Sequence, residues 1–140
     1  MNALHIVFRT GHFNLSQVGA HFINPCGFGE DLTTWLGDRL REKGIEARKP
    51  YQEDWGWELP VNNRGQKYYL CVSGNVDGAP ANRDEGEWRV IVEKRRSIPE
   101  RFTGKGKITL DDGMLVLLRE ILMSDTSIRD IHLEDVNCVT

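Results

Sequence analysis

The sequence predicts an α+β fold: a two-layer sandwich in which a mostly antiparallel sheet, built on a central three-strand meander, is covered by two helices. Three observations carry this. Segments 30–43 and 111–123 repeat apolar residues at helical spacing. Segments 55–61, 66–74 and 88–94 read as strands that follow one another through a tight turn and a polar loop. The 140 residues, 39% hydrophobic and 28% charged, suit one domain over 1–140 with a single core.

The elements follow in order. ALHIVFR (3–9) is apolar and β-branched enough for a strand. TGHFNLSQVGAHFINPCGFG (10–29) shows no period and reads as an ordered loop or an extra strand, because its aromatic and aliphatic residues need burial. EDLTTWLGDRLREK (30–43) is the clearest helix: Leu32, Trp35, Leu36 and Leu40 form one stripe. Glu30 and Asp31 at its start and Arg39, Arg41 and Lys43 at its end complement the helix dipole. Gly44 supplies a left-handed cap, and Gly37 suggests a close backbone approach. IEARKPY (45–51) is a connection.

In WGWELPV (55–61), Trp55, Trp57, Leu59 and Val61 share one strand face. NNRG (62–65) turns the chain into QKYYLCVSG (66–74), whose apolar residues are so continuous that both faces are expected to be covered. A polar loop (75–87) precedes WRVIVEK (88–94), and a basic loop (95–107) follows it. The second helix has Leu115, Leu118, Ile121 and Leu122 as its stripe and Thr109 or Asp111 as its N-cap; SIRDIHLEDV (127–136) ends the chain as a strand.

Composition excludes several classes. A net charge of −3 argues against a general nucleic-acid or membrane-surface binder. Cys26, Cys71 and Cys138 form no CxxC pair, which fits a reducing compartment. His5 and Arg9 interrupt the one apolar run near the start, against a signal peptide, and no stretch approaches the roughly 18 apolar residues of a transmembrane helix. A cytoplasmic protein with no membrane partner is expected.

CGFGED (26–31) lacks the third glycine of a dinucleotide loop and puts Glu30 and Asp31 where a phosphate would sit. TGKGKIT (103–109) lacks P-loop spacing. His5, His12, His21 and Cys26 match no zinc spacing, and loop 75–87 lacks the calcium-ligand rhythm, so no metal or other cofactor is expected. Ser73 stands alone, while adjacent Asp111 and Asp112, like Glu53 and Asp54, cannot share a face as an acid/base pair. No catalytic residue emerges, and an enzyme is the less favoured reading.

Charge is nevertheless segregated. Lys94, Arg95, Arg96, Arg101, Lys105 and Lys107 face one acid, Glu100, while Asp77, Asp84, Glu85 and Glu87 face only Arg83. Such polarity suits steering toward another protein. The tryptophans at 55 and 57 bury on the order of 200 Å² each, worth several kcal/mol at about 25 cal/mol per Å², so a core strand is the simpler role.

GFGEDLTTWLGDRLREKGIEARKPYQEDWGWEL, with YYLCVSGN and EWRVIVEK after it, resembles a group of short uncharacterised bacterial proteins in which an amphipathic helix leads into an E-D-W-G-W strand. The resemblance covers residues 27–94. It implies a bacterial or phage origin and a stand-alone domain, and it transfers no activity or site residue.

Two functions are expected from different classes. The first is a non-enzymatic protein-binding module, of inhibitor or immunity type, using the two charged loops. The alternative is a small-molecule or nucleotide-binding domain or enzyme with an aromatic pocket of Trp55, Trp57, Tyr68 and Tyr69. RNA binding through 94–107 is a weaker third.

Overall fold

The computed structural model describes residues 3–11, 13, 29–53, 56–75 and 86–135. Its elements are β1 (Ala3–Thr10), α1 (Glu30–Glu42), β2 (Glu46–Ala47), β3 (Tyr51–Glu53), β4 (Gly56–Asn63), β5 (Gln66–Asn75), β6 (Gly86–Lys94), α2 (Ile98–Thr103), α3 (Gly113–Met123) and β7 (Arg129–Asp135). The strands form one open sheet in the order β2-β4-β5-β6-β1-β7, with β3 also on β4, and the described pairings are antiparallel. This is the α+β class, with β4, β5 and β6 as the meander.

Register assigns the faces. Leu59 pairs with Leu70, Leu70 with Val92, and Val92 with Leu4, while Trp57, Val72, Val90 and Ile6 form the next row. These rows join Leu32, Leu36 and Leu40 of α1 and Met114, Leu115, Leu118, Ile121 and Leu122 of α3 in a fully or nearly fully buried set. Trp57 is 4% exposed, and a Cβ added to Gly29 at the start of α1 would lie 3.5 Å from its ring. Trp88 is fully buried, edge-on to Phe13. The opposite face is more polar but not bare, since Ala3, Val7 and Cys71 are buried there.

The turn NNRG works through backbone chirality. Arg64 and Gly65 have φ of 51° and 92°, positive at both central positions, the type I′ pattern that matches strand twist. Asn62 Oδ1 accepts the Gly65 N–H at 2.8 Å. Gly56 is required for a different reason. Its φ is +150°, and a Cβ there would fall 2.1 Å from the Val72 carbonyl oxygen. At Gly37 a Cβ would meet only the Arg41 guanidinium, so the expected close backbone approach is absent.

Three further expectations need correction. The connection 45–51 contains β2 and runs into the first residue of β3. Ala47 pairs with Val61 and Tyr51 with Glu58, so residues 48–50 on one side oppose only 59–60 on the other: a bulge. It sits at Pro60, which has no N–H for the ladder. The basic loop 95–107 contains α2, because Ser97 and Glu100 form a reciprocal capping box, Pro99 lies in the first turn, and Gly104 takes the left-handed cap at φ 71°. Finally, α3 is capped by Asp112 rather than Thr109 or Asp111. Its buried carboxylate accepts from Met114 N–H and from the Tyr68 hydroxyl at 2.9 Å, and from Lys94 Nζ at 3.1 Å. That network ties β5 and β6 to α3.

Candidate functional site

The basic segment divides into structural and free cations. Lys94 is committed to Asp112, and its side chain is only 19% exposed. Arg96 donates to the Lys105 carbonyl, and Arg95 lies 5.2 Å above the Tyr69 ring. Arg95, Arg101, Lys105 and Lys107 are exposed. Among them α2 stands out because it buries none of its residues. Ile98 is 69% and Phe102 87% exposed, and their i, i+4 spacing puts both on one helix face. Hydrogen bonds from the Ser97 N–H and hydroxyl hold the Glu100 carboxyl below its ordinary pKa, so the only acid of the segment is occupied in the cap. Of the acidic counterpart, Asp77, Asp84 and Glu85 lie outside the described residues, and Glu87 sits 3.8 Å from Arg89 at the start of β6.

The three described candidate rings do not share one face. Trp55 lies outside the described residues; Trp57 and Tyr68 are buried, at 4% and 5% exposure. Burial, followed by the hydrogen bond to Asp112, pushes the Tyr68 phenol above its ordinary pKa. Tyr69 points to the other face, half-buried, and there the bulged edge opens a groove of about 320 Å³. Its lining includes Glu46, Arg48, Tyr51, Pro60, Asn62 and Lys67 as well as Tyr68 and Tyr69. Arg41 from α1 fixes the bulge by donating from Nε to the Ala47 carbonyl at 3.0 Å and from Nη2 to the Arg48 carbonyl at 3.2 Å. The Tyr51 hydroxyl donates to Glu58 Oε2, which holds that phenol well above its ordinary pKa.

On the same face, Arg89 Nη1 donates to both His5 Nδ1 and Glu134 Oε2 at 2.7 Å, and His132 Nε2 lies 3.5 Å from Glu134. Because arginine only donates, His5 is the neutral Nε2–H tautomer. Burial first, and then the Arg89 charge, lower its pKa. Ser73 pairs with Arg89 across the ladder, and Cys71 Sγ is 3.8 Å from Glu58 Oε1. These contacts hold side chains to one another.

Among the described residues, no group of three or more His, Cys, Asp or Glu could hold a metal, and no helix is long and apolar enough to cross a membrane. His12, His21 and Cys26 lie outside those residues. Compared with family models, curated proteins and solved structures, the chain matches none. Sequence reading missed α2, although S-I-P-E is a capping-box signature. It also missed the groove, whose signal was a proline in the middle of a strand pattern.

Proposed function

We propose that the protein is a small, non-enzymatic binding module of the cytoplasm that grips an acidic protein partner, in the manner of an inhibitor or immunity protein. In this reading α1 and α3 cover one face of the sheet in a two-layer sandwich, and α2 is left for recognition. The observation that supports it is Phe102 at 87% exposure with Ile98 beside it, on a helix that buries nothing and is ringed by Arg95, Arg101, Lys105 and Lys107. Exposed apolar groups with a charged rim are the anatomy of an interface, in which an aromatic anchor supplies affinity and the charges supply approach rate.

The test is capture from native lysate with wild-type and Phe102→Ala protein side by side, followed by kinetics on the captured partner. Phe102→Ala should raise Kd by about 30-fold, the size of a modest hot spot, mainly through faster dissociation. Arg101→Gln with Lys105→Gln should slow association and flatten its salt dependence. A partner that binds both variants as it binds wild type would refute the reading.

A further inference from the structure

We propose that the groove at the bulged edge binds a small planar aromatic ligand bearing an anionic group, the class to which nucleoside monophosphates belong. The inference is independent of α2 and of any protein partner.

The register places the walls. Tyr51 is paired with Glu58, and Pro60 with Tyr69, so Tyr51, Glu58, Pro60 and Tyr69 project from one face of the sheet. Tyr51 and Tyr69 thus rise from the strands on either side of β4, offset by two residues along it and so roughly 12 Å apart between Cα atoms, with the flat Pro60 ring beside Tyr69. That width admits one aromatic ring. A volume of about 320 Å³ lies at the lower end of small-ligand sites.

The polar groups choose the ligand's charge. Among the described residues, the Arg48 guanidinium, the Lys67 ammonium and the Asn62 side-chain N–H2 make no hydrogen bond or ion pair; Asn62 spends only its oxygen, on Gly65. Three donors, two of them cationic, therefore line the groove against one carboxylate, Glu46. A guanidinium and an ammonium suit a phosphate or carboxylate, and a lone carboxylate can accept from an exocyclic amine.

The frame is also held before any ligand arrives. Arg41 pins the Ala47 and Arg48 carbonyls where the bulge begins, Glu58 pins the Tyr51 hydroxyl, Arg95 covers Tyr69, and Gly65 pins Asn62. Bulges recur beside functional sites because they re-aim side chains. Here Arg48 keeps the alternation begun by Glu46, with its N–H on the Pro60 carbonyl at 3.0 Å, and the irregularity begins just after it.

The experiment is amide-resolved NMR titration of the whole chain with AMP, adenosine and inorganic phosphate, each to about 10 mM. AMP should shift the amides of Asn62, Lys67 and Tyr69 and bind at least roughly ten-fold more tightly than adenosine or phosphate alone. Arg48→Gln with Lys67→Gln, both exposed and without a side-chain hydrogen bond or ion pair among the described residues, should weaken AMP about ten-fold and leave adenosine unchanged. Tyr69→Leu should weaken both AMP and adenosine by roughly ten-fold. Phe102→Ala should alter neither, which separates this site from the protein-binding surface. No response to AMP, a response elsewhere, or binding untouched by the double variant overturns the proposal; phosphate binding as tightly as AMP overturns its aromatic half.

Discussion

Replacing Gly56 by alanine should damage the sheet far more than a single methyl group suggests. The new Cβ would lie 2.1 Å from the Val72 carbonyl oxygen, 3.1 Å from its carbon and 3.3 Å from Ser73 Cα. The first distance is at least roughly 1 Å inside any ordinary contact, and the obstacle is backbone, so β4 and β5 must part to relieve it. Overpacking of this kind costs about 1–3 kcal/mol. Holding an L-residue near φ +150° costs about 1–3 kcal/mol more. The total, about 2–6 kcal/mol, lowers Tm by about 7–20 °C at the usual unfolding entropy for 140 residues. Gly65→Ala is the control. It also places a side chain at positive φ, but nothing lies within 4 Å, so only the conformational cost of about 1–2 kcal/mol remains. Urea unfolding followed by circular dichroism on both variants, with amide exchange at Val72 and Ser73, measures the difference. If Gly56→Ala loses no more stability than Gly65→Ala, the collision with Val72 is not what requires the glycine.

Other tests probe the polar supports. Asp112→Ala removes the α3 cap together with the bonds that Lys94 and the Tyr68 hydroxyl make to it; a loss of about 3–5 kcal/mol in urea unfolding is expected, and under 1 kcal/mol would show the network to be ornamental. The lowered pKa of His5 means that the unfolded chain takes up a proton the folded chain refuses. Its contribution is therefore complete above pH 6.5 and is lost as pH falls from 6.5 toward the depressed folded-state value. His5→Gln should flatten that limb of the stability–pH profile. Glu134, held below 4.5 mainly by the hydrogen bond from Arg89, keeps its contribution above that pH and loses it on further acidification, so Arg89→Gln should remove this second limb too.

Periodicity made the larger elements legible. The stripe of Leu32, Leu36 and Leu40 and the alternation through Trp57, Leu59 and Val61 reflect burial, which repeats over many residues and survives in composition. Irregular features were harder because each depends on one residue acting across space. Pro60 faces the break between two short strands upstream of it, and nothing in IEARKPY itself announces that pairing. Lys94 read as a free cation because its anchor, Asp112, is brought near only by α3. The Ser97–Glu100 box was readable in principle, but the many charges around it suggested a loop. The candidate surfaces follow the same division: the basic run was visible in the chain, whereas the groove exists only after β2, β3 and β5 have assembled around β4.

The break opposite Pro60 has a further consequence for life at high concentration. A long, straight sheet margin is a template onto which a foreign chain can zip, the first step toward aggregation. Here that margin is cut into pieces of two and three residues, and the Ala47 and Arg48 carbonyls at the break are already taken by Arg41. An intruding segment finds no continuous ladder to copy, so the irregularity that opens the groove also guards the protein against self-association along that side.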